Sequence, residues 1–217
     1  MKRQGFKGFI FDMDGTLLNT LPDMVFITNE VLELEGFKPH TEEEIRTYVG
    51  DGVKSLILQA IPNGASDEQV DRIVNNFRSH YSDHGLSLTR QFDGMEDTLV
   101  KLKRNGKKLG IMSNKFEAGV IAVRDTYFPN LFDATHGESD VIPRKPDPTG
   151  LLTCAKEMGL TPEECVYFGD SHGDMLAGKN AGMYTVGVTW GFQSVKKIKT
   201  GNPDELIDLP KQILEFM

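Results

Sequence analysis

Four short stretches of the chain are apolar without alternation, and each breaks off at polar residues or glycine: Gly8 to Phe11, Leu109 to Met112, Val166 to Phe168 and Tyr184 to Val188. A strand with one wetted face alternates, so continuous hydrophobicity predicts strands covered on both faces, as in a parallel sheet between helices. Helical patterns lie between them. Met95 to Asn105 carries Leu99, Val100 and Leu102 and ends at Gly106, and Leu151 to Met158 stops at Gly159; glycine just past the last turn is a helix terminator. Thr161 with Glu164 has the spacing of a capping box on a single turn before the third strand. Alternation of strand and helix from residue 92 onward predicts a doubly wound, Rossmann-like α/β fold.

Residues 18 to 90 follow a different pattern. No strand-like run appears, and capping-box spacings recur at Thr41/Glu44 and Ser66/Gln69. Behind the second, Val70, Ile73, Val74, Phe77 and Tyr81 share one helical face. The expectation is an α/β core formed by residues 1–17 and 91–217, with an all-helical insertion at 18–90.

Composition narrows the function classes. With 217 residues the chain can bury a core without staples, and 39% hydrophobic against 26% charged residues is ordinary for a globular protein. A formal net charge of −8 argues against a nucleic-acid partner, since phosphate backbones require clustered Lys and Arg. Cys154 and Cys165 have no metal-like or disulfide-framework spacing, which predicts a reduced, cytoplasmic setting. The apolar run after Met1-Lys2-Arg3 is cut short by Asp12 and Asp14, so neither a signal peptide nor a membrane span is expected.

The chemistry gathers at the strand ends. In an open parallel sheet, ligands bind beyond the carboxyl ends of the strands. The predicted ends bring forward Asp12, Asp14, Ser113, Asn114, Asp170 and Asp174. An aspartate and a glycine can simply end a strand, and Asp170 and Asp174 can cap a helix. Four carboxylates drawn together, however, repel and raise one another's pKa unless a cation joins them. All-oxygen donors with no His or Cys cluster favour Mg²⁺. The run Asp12-Met13-Asp14-Gly15-Thr16 is the most specific signal, a pattern that a chain of this length meets by accident roughly once in a thousand.

Together, Asp12 to Thr16, Ser113-Asn114, Lys145-Pro146-Asp147-Pro148 and Gly169-Asp170-Ser171-His172-Gly173-Asp174 resemble the four motifs of the haloacid dehalogenase superfamily, in the order and spacing of its phosphoglycolate phosphatase-like branch. The resemblance implies a phosphomonoesterase that works through an aspartyl-phosphate, with the helical insertion as a cap. Asp12 would be the nucleophile and Asp14 the general acid and base. Gly15 would allow a tight turn, and Thr16 would place a hydroxyl near the metal. Ser113 would bond a phosphoryl oxygen, Asn114 would orient the substrate or the surroundings of Asp14, and Lys145 would offset negative charge. For Mg²⁺ the family pattern supplies the Asp12 carboxylate, the Asp14 carbonyl and the Asp170 carboxylate, with Asp174 positioning water and Lys145. Ser171 and Gly173 would be helix-start residues, and His172 and Lys115 have no assigned role.

The break Tyr48-Val49-Gly50-Asp51-Gly52-Val53-Lys54 resembles the branch's cap specificity loop, so Gly50, Asp51, Gly52 and Lys54 become candidate substrate contacts. Lys54 or Arg46 could attract a substrate carboxylate. One departure is Phe92-Asp93-Gly94, where the family usually has proline before the glycine. The resemblance points to a small phosphate ester, foremost a phosphoglycolate-like one, and to a monomer or homodimer. Alternatives within the fold are phosphatases of sugar phosphates, nucleotides or pyrophosphate, and a phosphosugar mutase. Outside enzymes, a receiver-like module that carries phosphate on an aspartate is the competing class.

Overall fold

A computed structural model describes residues 4–63, 65–84 and 87–217. In chain order the elements are β1 (Gly8–Phe11), β2 (Leu18–Asn19), α1 (Leu21–Leu34), α2 (Glu42–Tyr48), α3 (Gly52–Ala60), α4 (Asp67–His84), β3 (Arg90–Gln91), α5 (Met95–Arg104), β4 (Lys108–Phe116), α6 (Glu117–Tyr127), β5 (Ala134–Glu138), α7 (Thr149–Glu157), β6 (Cys165–Gly169), α8 (His172–Asn180), β7 (Tyr184–Val188), α9 (Val195–Lys199) and β8 (Glu205–Ile207). Six strands form one sheet in the order β5-β4-β1-β6-β7-β8, and every pairing is parallel. The fold is thus Rossmann-like α/β.

Both faces of the sheet are buried, which is why the strand sequences do not alternate. Phe9, Phe11, Ile111, Phe168 and Val186 pack in one apolar cluster. Ile10, Met112, Cys165 and Tyr167 point the other way into a second. Phe168 stacks on Phe11 at 5.0 Å between ring centroids.

Among the described residues of 21–84 every regular element is a helix. Thr41 caps α2 through the full box with Glu44. The face of α4 expected from its spacing, Val70 to Tyr81, is buried and continuous with the first core cluster. At the ends of this helical segment, β2 and β3 pair antiparallel. The expectation of no strand from 18 to 90 is therefore corrected at its margins, where two-residue strands are too short to leave a periodic signal. Buried Asp23 of α1 ties down the segment that leads into β3 by accepting the N–H groups of Leu88 and Thr89.

The sequence missed both edge strands. Ala-Thr-His-Gly-Glu of β5 and Glu-Leu-Ile of β8 are only partly buried, and edge strands need less apolar sequence. β4 also runs past its expected end at Met112 to Phe116, with a shift of register against β5 between Met112 and Phe116. Among the described residues no helix is long and apolar enough to cross a membrane.

Candidate active site

The order in which strands are added reverses at β1: β4 and β5 lie on one side, β6 to β8 on the other. This switch point leaves a crevice at the strand ends, where the chemistry-bearing residues meet. Asp12 still donates its N–H to the Phe168 carbonyl at 2.9 Å, so the sheet ladder fixes it. The chain then turns: Gly15 has φ +83°, and Met13 O accepts from Leu17 N and Leu18 N. A Cβ at Gly15 would stand 2.4 Å from Asp170 Oδ2, so this position needs glycine for both its backbone and its neighbour.

Lys145 is the hub. Its side chain is 3% exposed, and Nζ lies 2.8 Å from Asp12 Oδ1 and 2.7 Å from Asp174 Oδ1. Tyr167 donates its hydroxyl to the same Asp174 oxygen at 2.8 Å. Ser171 holds the other oxygen through its N–H and hydroxyl and caps α8 in a reciprocal box with Asp174. Asn114 Oδ1 accepts the Lys145 N–H at 2.8 Å, and its amide donates to the Gly50 carbonyl at 2.8 Å. Asn114 therefore clamps the Lys145 loop to the α2–α3 loop, on the wall of the cavity that Asp14 also lines.

Oxygens of Asp12, Asp170 and Asp174 all lie within 4.8 Å of one another, and all three residues are buried. Burial above all, with Asp174 and Asp14 adding to it and Lys145 opposing it, pushes the Asp12 carboxyl up to about 7. Asp170 rises well above the usual carboxylate range through burial, then through Asp174 and Asp12. Lys145 is pulled down by burial, but its two carboxylates outweigh this and hold it above its ordinary value. With all three ionised, three carboxylates against one ammonium would leave two negative charges uncompensated, and this repulsion adds to burial in raising the carboxyls when no cation joins them. That charge deficit and the all-oxygen donor set fit a hard divalent cation.

Asp14 is turned away from this cluster. Its Oδ1 accepts the Thr20 hydroxyl at 2.7 Å, and its Oδ2 lies 3.0 Å from Lys115 Nζ. Lys115, which has no role assigned from its sequence context, is buried, and its ammonium stands 4.3 Å from the centroid of the Tyr81 ring. Burial pushes the Tyr81 phenol up to about 12. Strand alternation after Ser113 is the one signal that could have placed Lys115 inward.

A cavity of about 50 Å³ opens between these groups and the helices, lined by Asp12, Asp14, Ser113, Asn114, Lys115, Lys145 and Asp170, by Gly50 and Gly52, and by apolar side chains of α1, α3 and α4. Thr16 is not on its wall. The Thr16 side chain is fully buried without a hydrogen-bond partner among the described residues, while its carbonyl accepts the Trp190 indole N–H at 3.0 Å. Asp51 contributes its carbonyl to Arg144 and does not line the cavity. His172 bonds Thr200 Oγ1.

Lys54 is not brought to the site. Its ammonium pairs with Asp71 of α4 at 2.8 Å, with the side chain 47% exposed, and Arg46 pairs with Glu42 one turn away. Both are solvated helix charges of small energetic weight. Lys54→Ala is accordingly expected to change KM less than about twofold for carboxylated and neutral phosphate esters alike. Steady-state kinetics on one ester of each kind checks this, and a selective rise for the carboxylated ester would return Lys54 to the site.

A doubly wound α/β sheet carrying buried aspartates and a lysine at its switch point defines a hydrolase-type fold and site. The chain belongs to the haloacid dehalogenase-like hydrolase family, whose sequence model matches residues 9–188. It is 31% identical over 211 residues to phosphoglycolate phosphatase 1 of Pseudomonas aeruginosa, covering 94% of this chain and 77% of that one. It is 28% identical over 227 residues to the N-acetylmuramic acid 6-phosphate phosphatase of the same organism, covering 100% and 97%. A solved structure of a predicted phosphoglycolate phosphatase from Haemophilus somnus superposes with a TM-score of 0.90 at 27% identity and 97% coverage of both chains.

Proposed function

We propose that this chain is a Mg²⁺-dependent phosphatase that hydrolyses compact phosphate monoesters, 2-phosphoglycolate foremost, through a phosphorylated Asp12. The observation that carries the reading is the division between the two carboxylates. Asp12 faces Lys145 and the Asp170/Asp174 cluster, while Asp14 stands beside it in the same cavity on separate partners, Thr20 and Lys115.

In the first half-reaction an Asp12 oxygen attacks phosphorus and the bond from phosphorus to the ester oxygen breaks. Asp14 gives its proton to the departing alkoxide. In the second, Asp14 takes a proton from water as that water attacks phosphorus, and the bond from phosphorus to Asp12 breaks to release phosphate. Ser113 and Lys145 bind the phosphoryl oxygens and offset their charge. Asp12, the Asp14 carbonyl and Asp170 would hold Mg²⁺, which when bound supplies charge neutralisation at the phosphoryl group. Asp174 orients Lys145 through the 2.7 Å contact.

Residues 18–90 act in this reading as a cap over the core of 1–17 and 91–217. Its loop at Gly50 and the apolar faces of α1, α3 and α4 exclude water from the acyl phosphate. The P. aeruginosa phosphoglycolate phosphatase similarity supports 2-phosphoglycolate as the foremost substrate.

Phosphate release from 2-phosphoglycolate, a hexose 6-phosphate, a nucleoside monophosphate and pyrophosphate, with Mg²⁺ and with EDTA, tests the proposal. Expected is metal-dependent turnover with the highest kcat/KM for 2-phosphoglycolate. No EDTA-sensitive release from any of the four would overturn it.

A further inference from the structure

Two cations line the cavity among the described residues, Lys145 and Lys115. Lys145 is committed to Asp12 and Asp174. Lys115 is as deeply buried as Lys145, and its charge lies on the leaving-group side, against Asp14 rather than against Asp12. An ammonium has three N–H donors. Asp14 Oδ2 takes one at 3.0 Å, and the Tyr81 ring covers a second side at 4.3 Å, which leaves donor capacity on a side chain that forms part of the cavity wall.

Position gives that donor a chemistry. To be protonated by Asp14, the bridging ester oxygen must come within roughly 3 Å of its carboxyl. Lys115 Nζ is 3.0 Å from Oδ2 of the same carboxyl. In an ester whose alkoxide carbon bears a carboxylate, one carboxylate oxygen falls about 3 Å from the bridging oxygen, and hydrogen-bond contact with Nζ closes the four-sided figure. Met24, Val53, Leu56, Phe77 and Phe116 make the apolar part of the wall, where a neutral substituent finds no charged partner. The same low-dielectric wall strengthens an ion pair.

Resting on the phosphatase function above, we propose that Lys115 is the specificity-determining contact of this site. It binds a substrate carboxylate carried on the carbon next to the bridging oxygen. The anchor is thus supplied by β4 of the core, and the cap contributes the Tyr81 ring that holds the ammonium in place.

Comparing 2-phosphoglycolate with 2-hydroxyethyl phosphate, an analogue of similar size with a neutral hydroxymethyl in place of the carboxylate, tests this in the wild type and in Lys115→Met, with Mg²⁺ present. The expected wild-type kcat/KM favours the carboxylated ester by roughly 30-fold or more, the scale of a charged hydrogen bond. In Lys115→Met both esters lose rate, since Asp14 loses its partner, but the preference collapses by a similar factor and mainly through KM. An equal loss for both esters, with the preference intact, overturns the proposal and leaves Lys115 as a residue that positions Asp14. Should the variant not fold, the wild type decides alone: equal kcat/KM for the two esters overturns the anchor while leaving the phosphatase reading standing. Wild-type protein that cleaves neither of these esters nor any of the four named above overturns the phosphatase reading itself, and one that cleaves only the others overturns the anchor.

Discussion

Asp12→Asn is expected to lower kcat by at least about 10⁴-fold, because an amide oxygen cannot form the acyl phosphate that divides the reaction into two steps. The same substitution is expected to leave the fold intact and to raise the stability of the metal-free protein at alkaline pH. The sign follows from the direction of the shift. Burial raises the Asp12 carboxyl to about 7, so between its unfolded value and about 7 the folded chain binds a proton that the unfolded chain has released. This contribution favours folding at low pH and is lost as pH rises through about 7. Asparagine carries no charge and escapes that loss. Thermal melts in EDTA at pH 5.5 and 8 should place the variant above the wild type at pH 8, with a smaller gap at pH 5.5. A variant that melts lower at pH 8 than the wild type would show that the Asp12–Lys145 pair outweighs the burial of the charge.

Lys145→Met has the second large effect, in the opposite direction on stability. Lys145 is the cation between Asp12 and Asp174, and removing it leaves three buried carboxylates facing one another. Breaking a buried pair from one side costs about 3–5 kcal/mol, which for a chain of this size is a fall in Tm of roughly 10 °C. Turnover should fall by at least about 10²-fold, the cost of losing one electrostatic contact to the transition state. Saturating Mg²⁺ should raise the Tm of the variant more than that of the wild type, since the variant has more uncompensated negative charge for the ion to offset. Melts with and without Mg²⁺, alongside phosphate release from 2-phosphoglycolate, measure all three. A Tm within about 1 °C of the wild type, less than any broken buried pair allows, would refute the role of Lys145 as buried counter-ion.

Much of the fold was legible because burial on both faces writes itself into consecutive residues. Gly8–Phe11 and Tyr184–Val188 have the bounds expected of them. The inward face of α4 and the capping boxes at Thr41 and Thr161 were equally local signals. β5 and β8 were illegible for the same physical reason reversed, since edge strands are held by backbone pairing and place little demand on side chains. The end of β4 was misplaced because Ser113, Asn114 and Lys115 are polar yet buried. Hydrophobicity marks burial only where the buried groups are apolar.

By itself the sequence determined the two-sided sheet, the helical character of most of the stretch between the first two motifs, and the family, because each depends on local periodicity or on a short motif of fixed spacing. Only the tertiary structure decided which polar groups face one another. It joined Asp14 to Lys115 across the first crossing and Lys145 to both Asp12 and Asp174. It bound Asn114 to the Gly50 carbonyl and sent Lys54 outward to Asp71. Charged side chains carry no period that records their partners. Their pairing is set by where the strand ends converge and by the cost of burying a charge alone.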